Sequence, residues 1–98
     1  MFTNNSAVNQ VLPVADTAVG VDATKLDNAN VIKFYVEGAS IRFRYDGDDP
    51  TPTVGFLAEV GDLVTVDGDD DVKKFLAIRT GGVSASLTVS FSRAVKGF

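Results

Sequence analysis

The chain has 98 residues, a formal net charge of −4 at pH 7, and no cysteine or histidine. The missing cysteine excludes disulfides, and without either residue type the chain lacks the commonest general base, the thiol nucleophile and the usual zinc ligands. Its nine basic residues are scattered, and no apolar run approaches the roughly 20 residues that span a bilayer, so we expect neither a nucleic-acid nor a membrane partner.

A chain of this length is expected to form one domain, because its composition has no break that would separate two cores. Such a domain buries roughly 65% of its unfolded surface and keeps about 5 to 10 kcal/mol of net stability. Small all-β domains near this limit gain further stability from disulfides, metals or neighbouring subunits. Because disulfides are excluded here, we expect the chain to form a homo-oligomer.

Residues 1–30 are predicted to form an extended N-terminal arm, and residues 31–98 a single β-domain. The arm is rich in Asn, Ala, Thr, Asp and Val and has little periodicity. Pro13 cannot donate to a strand ladder, so any strand in the arm must lie at a sheet edge. An arm of this length either packs along the edge of its own sheet or reaches a neighbour.

The period-two pattern of a half-buried strand begins at Val31. Apolar and polar residues alternate over residues 31–37 and, after the interruption at Gly38, over residues 41–45. This alternation predicts two strands, each with one buried face. Asp46-Gly47 then predicts a turn with positive φ, and the two prolines within residues 49–52 predict a stiff connector.

The second half of the chain has shorter β-patterned runs. Strands are predicted at residues 56–57 and 63–66, and the continuous apolar run at residues 75–78 indicates either a central strand covered on both faces or a single helical turn. From Val83 to Phe91 apolar residues alternate strictly with serine and threonine. An uncharged hydroxyl face suits either a sheet interior or a subunit contact.

Seven or so short strands with Gly, Asp and Pro turns predict an all-β fold. We expect a small antiparallel β-sandwich or barrel, Ig-like or jelly-roll-like, with the extended N-terminal arm. The strand patterns predict that most of the core comes from Ile32, Phe34, Val36, Ile41, Phe43, Leu63, Phe75, Ile78, Leu87, Val89 and Phe91.

Acidic residues are concentrated in two predicted turns, at residues 46–49 and 67–71. The spacing D-x-D-x-D in the second turn begins like a calcium-binding EF-hand loop. The loop then departs from that motif, with Val72 in place of the glycine and Ile78 in place of the final glutamate. Pro50 interrupts the first turn in a similar way. We therefore interpret both as solvated turns and predict no metal or other cofactor.

Two sets of residues are candidates for contacts with partners. Arg42 and Arg44 project from one face of a predicted strand, between Phe43 and Tyr45, where they could form a nucleic-acid stripe, pair with carboxylates or lie at an interface. We favour carboxylate pairing or an interface, because acidic neighbours are abundant. No catalytic residue is predicted, and the candidate interface residues are Arg42, Arg44, Ser86, Thr88 and Ser90.

Residues 37–93 resemble a widespread class of small structural proteins of tailed bacteriophages. The most specific parts of this resemblance are Ile41 to Tyr45, Asp46-Gly47, Asp49-Pro50-Thr51, Gly55, Gly61-Asp62 and Phe75 to Ile78. The resemblance implies a non-enzymatic virion protein of the capsid cement, or decoration, type. It implies the major capsid protein as partner, a homo-oligomer that is often a trimer, and a position on the capsid surface after synthesis in the host cytoplasm.

The resemblance leaves other functions open. A head-to-tail connector or tail structural protein would share the phage origin. A weaker similarity, carried by the segment from Ile41 to Thr51, connects the chain to Ig-like domains appended to some glycosidases and implies a carbohydrate-binding accessory module. For a cement protein, our hypothesis is that residues 1–28 lie along a neighbouring subunit or the capsid and become ordered on assembly.

Overall fold

The computed structural model describes residues 8–26 and 29–93. The described part contains seven β-strands, one 3₁₀ turn and one short α-helix. In chain order these elements are β1 (Val8–Val14), the 3₁₀ turn (Ala23–Leu26), β2 (Val31–Glu37), β3 (Ile41–Arg44), β4 (Phe56–Ala58), β5 (Leu63–Asp67), α1 (Asp69–Lys74), β6 (Leu76–Arg79) and β7 (Ala85–Ser92).

The strands form two antiparallel sheets. One has four strands in the order β1-β7-β2-β5, and the other has three in the order β4-β3-β6. The chain passes between the sheets at Gly38, directly after β2. The predicted all-β antiparallel fold is confirmed, in its sandwich form.

The alternation that predicted β2, β3 and β7 is also the alternation of their burial. In β2 the side chains of Phe34 and Val36 are fully buried, whereas those of Lys33, Tyr35 and Glu37 are exposed. The same alternation holds in β7, whose apolar residues are buried and whose hydroxyl residues point away from the core. Gly47 has the positive φ predicted for its turn, at 96°.

The core lies between the inner faces of the two sheets. Phe34 of the four-stranded sheet meets Phe43 of the three-stranded sheet edge to face at 5.3 Å between ring centroids, and Phe75 lies 5.1 Å from Phe34. Such aromatic pairs contribute about 0.5–1.5 kcal/mol each beyond their buried area. Ten of the eleven predicted core residues are buried, and Leu63 is the exception at 67% exposed.

Leu63 faces outwards because of the register of β5. In this edge strand Leu63 pairs with Tyr35, which is on the outward face of β2, whereas Val64 pairs with Phe34. The inward side chains of β5 are therefore Val64 and Val66. A one-residue difference in register reverses the face of every side chain, and the short β5 pattern did not specify it.

The second acidic turn, predicted at residues 67–71, continues into a short helix, and the apolar run at residues 75–78 leads into a strand, β6. Residues 69–74 form α1, with three aspartates in its first turn and lysines in its last, which complements the helix dipole, and with Val72 buried beneath it. β6 is the last strand of the three-stranded sheet, so the prediction of a central position was wrong. Its outer edge is nevertheless covered, because Val19 and Ala77 exchange two backbone hydrogen bonds of 2.9 and 2.8 Å.

The N-terminal segment is extended, but its described part packs on its own domain. β1 pairs with β7 along its whole length, as an edge strand, with Leu12 and Val14 in the core. Farther along, Gly20 lies so close to β6 that an added Cβ would come within 2.9 Å of the Phe75 carbonyl oxygen. The hypothesis that residues 1–28 lie along a neighbour is therefore corrected for residues 8–26. Residues 1–7 and 27–28 lie outside the described residues.

Candidate functional site

The five candidate interface residues lie on opposite sides of the sandwich. Arg42 and Arg44 alternate with the buried Ile41 and Phe43, so they project from the outer face of the three-stranded sheet. The three hydroxyl residues project from the outer face of the four-stranded sheet. A single flat partner surface cannot contact both sets. The hydroxyl residues are Ser86, Thr88 and Ser90.

Arg42 is used within the domain. It is half-buried, and its Nη1 donates a hydrogen bond of 3.1 Å to the carbonyl oxygen of Gly55. Gly55 directly precedes β4, so the guanidinium connects β3 to the segment that leads into the neighbouring strand. The contact supports the three-stranded sheet and leaves Arg42 poorly placed to meet a partner.

Arg44 pairs with the first acidic turn. Its Nε donates to Asp46 Oδ1 at 3.1 Å, and its Nη2 contacts the carboxylates of Asp46 and Asp48. The pKa of Asp46 is lowered from 3.8 to about 2, mainly by the hydrogen bond from Arg44 and next by one from the backbone N–H of Asp48. Carboxylate pairing, one of the uses predicted for the arginines, is therefore observed for Arg44, with carboxylates of the adjoining turn.

The outer face of the four-stranded sheet has a composition unusual for a surface open to water, and we call it the hydroxyl face. Its centre consists of Ser86, Thr88 and Ser90 of β7 and the outward residues of β2. A row of residues paired across all four strands crosses it, and three of its members are large and exposed. This row runs Val11, Thr88, Tyr35 and Leu63.

A second apolar surface surrounds β4, and we call it the β4 edge. Val54, Phe56 and Leu57 are 48%, 56% and 47% exposed. The ring of Phe56 stacks on that of Tyr45, with centroids 5.6 Å apart and planes 12° from parallel. Because β4 is the terminal strand of its sheet, it exposes side chains on both faces.

The sequence prediction missed the apolar members of both surfaces. Leu63 was assigned to the core, and Val11 belonged to the predicted arm. The signal that could have identified the row is the alternation of side chains along each strand, because outward residues that lie opposite each other on paired strands form a row across the sheet. This alternation identifies the members of a row only when the register of strand pairing is known.

A shallow depression of about 250 Å³ lies between the 3₁₀ turn and α1, lined by Val21, Ala23, Leu26 and Lys73. Among the described residues its lining offers one titratable group, Lys73, so it brings no acid–base pair together. The described residues also contain no group of three or more acidic side chains placed to hold a metal ion. No helix in the described ranges is both long and apolar enough to cross a membrane.

Comparison of the chain with protein-family models, with curated proteins and with solved structures found no match in any of the three. The functional interpretation therefore depends on the two surfaces, the hydroxyl face and the β4 edge.

Proposed function

We propose that this chain is a non-enzymatic structural protein of a phage particle, which binds the outside of the capsid and stabilises it as a cement or decoration protein. The resemblance of residues 37–93 to small phage structural proteins supports this proposal. The observation that carries it is the placement of the large exposed apolar side chains, most of which fall into two separate surfaces on different sheets of one sandwich.

A protein that cements a shell must hold two things at once, the shell and a neighbour. The hydroxyl face and the β4 edge meet this requirement, because they belong to different sheets and can be occupied simultaneously. The aromatic contacts between Phe34, Phe43 and Phe75 join the two sheets through a packed core. A rigid body of this kind transmits a contact made on one surface to the other.

The β4 edge is the surface that we assign to the major capsid protein. Its exposed members include an aromatic ring and a leucine, and apolar anchors of this type contribute most of the energy at protein interfaces. Each copy would make a modest contact, and the repeated lattice of a capsid converts many modest contacts into stable attachment. The acidic turn beside Arg44 remains exposed and keeps the rest of the particle surface hydrated.

Electron microscopy of particles tests this proposal. Particles stripped of the protein should regain density on the outside of the shell, at points of local symmetry, when purified protein is added back. Leu57→Asp should abolish this binding, since it puts a carboxylate on the β4 edge. Val83→Asp is the matched control, because Val83 is 64% exposed outside both surfaces, and it should bind like the unmodified chain.

The alternatives give different results in the same experiments. Density at the head-to-tail vertex or along the tail would support a connector or tail protein instead. Retention of the purified chain in polysaccharide gels, without any density on particles, would support a carbohydrate-binding module. Equal binding by the Leu57→Asp and Val83→Asp variants would refute the assignment of the β4 edge.

A further inference from the structure

The row across the hydroxyl face follows from the pairing of four strands. Val11 of β1 is opposite Thr88 of β7, Thr88 is opposite Tyr35 of β2, and Tyr35 is opposite Leu63 of β5. Val11 and Leu63 are each 67% exposed and Tyr35 is 41% exposed. A line of side chains that are large and apolar on every strand except β7 therefore crosses the sheet from one edge strand to the other.

Three charged side chains lie on the same face: Asp67 at the end of β5, and Lys33 and Glu37 of β2, which are at equal distances from this row. Lys33 and Glu37 are two residues before and two residues after Tyr35 on β2, so each is about 7 Å from the row in opposite directions along the strand. Both are exposed, and neither forms a salt bridge within the described residues. Across the roughly 13 Å between them they do not pair with each other.

We propose that the hydroxyl face is the contact between two copies of this chain, related by a two-fold axis that runs along the row. Rotation by 180° about such an axis places the second copy face to face with the first. A residue on one side of the row then lies opposite the residue that is equally far from the row on the other side. Each member of the row then meets its own counterpart in the second copy. Lys33 of each copy meets Glu37 of the other, which gives two opposite-charge pairs in one contact.

Charge complementarity is the reason that we assign a second copy of the chain, rather than another partner, to the hydroxyl face. An isologous contact requires a self-complementary surface, and a positive and a negative group placed symmetrically about an apolar row satisfy that requirement. Sheets packed face to face keep their strands within about 30° of alignment, so the pairing of Lys33 with Glu37 survives the twist of the sheets. The inference concerns self-association alone and holds whether or not the chain binds a capsid.

The size of the face determines how strong the contact is. Four strands about 4.8 Å apart and about five residues long cover roughly 20 by 17 Å, so two such faces bury on the order of 700 Å² in total. This area is smaller than the roughly 1,200 Å² at which standard specific interfaces begin, so we expect a weak dimer, with a dissociation constant of about 100 µM. On a particle that holds many copies close together, such a contact would be fully occupied.

Sedimentation equilibrium over a concentration series tests the proposal, with a monomer–dimer equilibrium expected for the unmodified chain. Lys33→Glu places two carboxylates opposite each other at each pair, and Glu37→Lys places two ammonium groups there. Each single variant should raise the dissociation constant roughly tenfold. The double variant, Lys33→Glu with Glu37→Lys, should return it to near its original value, because the exchanged charges are again complementary.

Lys73→Glu is the matched control, because Lys73 is an exposed lysine on α1, outside the hydroxyl face, and should leave the dissociation constant unchanged. Circular dichroism on each variant checks that the fold is retained, which exposed positions should permit. Three results would overturn the proposal: a monomer at all concentrations, a trimer without a dimer, or a double variant no better than the singles. If the unmodified chain forms a dimer but does not bind capsids, the proposed function is refuted and this inference still holds.

Discussion

The inner and outer faces of the four-stranded sheet are made by alternate residues of the same strands, and they differ in what covers them. The inner face is closed by the three-stranded sheet, and its side chains on β2 and β7 are almost completely buried. The outer face has hydroxyl groups, an apolar row and very few charges, with no cover among the described residues. The contrast indicates that the two-residue repeat of a strand determines which side chains share a face. The polarity and size of those side chains then indicate what each face contacts.

The largest test of this contrast compares adjacent residues of β2. Phe34→Ala should reduce the free energy of unfolding by about 3–5 kcal/mol, because it removes a fully buried ring that contacts Phe43 and Phe75. Tyr35→Ala, on the opposite face, should cost less than about 1 kcal/mol in dilute monomer. Urea denaturation followed by fluorescence or circular dichroism measures both. Equal costs for the two variants would mean that the two faces are not energetically distinct.

A smaller effect is expected in β1, where the same contrast decides whether the N-terminal segment belongs to the domain. Leu12 is buried and Val11 is exposed, although both lie in the segment predicted as an arm. Leu12→Ala should cost about 2 kcal/mol of unfolding free energy, whereas Val11→Ala should stay within about 0.5 kcal/mol. Thermal or urea denaturation provides the comparison. A Leu12→Ala variant as stable as the unmodified chain would restore the hypothesis that this segment lies along a neighbouring subunit or the capsid.

The smallest effect is expected on the outer face of the three-stranded sheet. This face has the ion pair between Arg44 and Asp46 where the outer face of the other sheet has its apolar row. The pKa of Asp46 is lowered from 3.8 to about 2, mainly by the hydrogen bond from Arg44 and next by one from the backbone N–H of Asp48. Because the pKa in the folded chain is below its ordinary value, the stabilisation is present above pH 3.8 and is lost as pH falls towards 2. The urea midpoint of the unmodified chain should therefore decrease across this window.

Asp46→Asn should remove the whole contribution of Asp46 to that decrease, whereas Arg44→Gln should remove the larger part of it, because the backbone N–H of Asp48 still donates to Asp46. The combination of the two changes should remove no more than Asp46→Asn alone. Additive effects of the two changes on the pH response would show that Asp46 titrates independently of Arg44. The pair is exposed, so we expect a small shift that requires closely spaced measurements between pH 2 and 5.

Local pattern was sufficient for much of the fold. The alternation in β2, β3 and β7 predicted both the strands and their buried faces, because a side-chain period of two is a property of the extended backbone itself. It was not sufficient for the short segments. α1 lies in the acidic segment that was predicted as a turn, and the apolar run that leads into β6 has no alternation, so it did not distinguish a strand from a helical turn.

The candidate site was predicted only in part, for a related reason. The hydroxyl residues of β7 were identified from their alternation. Arg42 and Arg44 were grouped with them as interface candidates, although they lie on the opposite side of the sandwich and contact Gly55 and the acidic turn within the chain. Which sheet a strand joins depends on contacts between residues far apart in sequence, and no local pattern records them.

The sequence by itself determined that this chain is an all-β domain with a core built from alternating residues, since alternation and turn chemistry act over a few residues. Only the tertiary structure decided three further features. It placed β1 in the sheet, it turned Leu63 outwards through the register of β5, and it aligned Val11, Thr88, Tyr35 and Leu63 into one row. Each depends on hydrogen-bonded pairing between strands distant in the chain, whose register is determined when all the strands pack together.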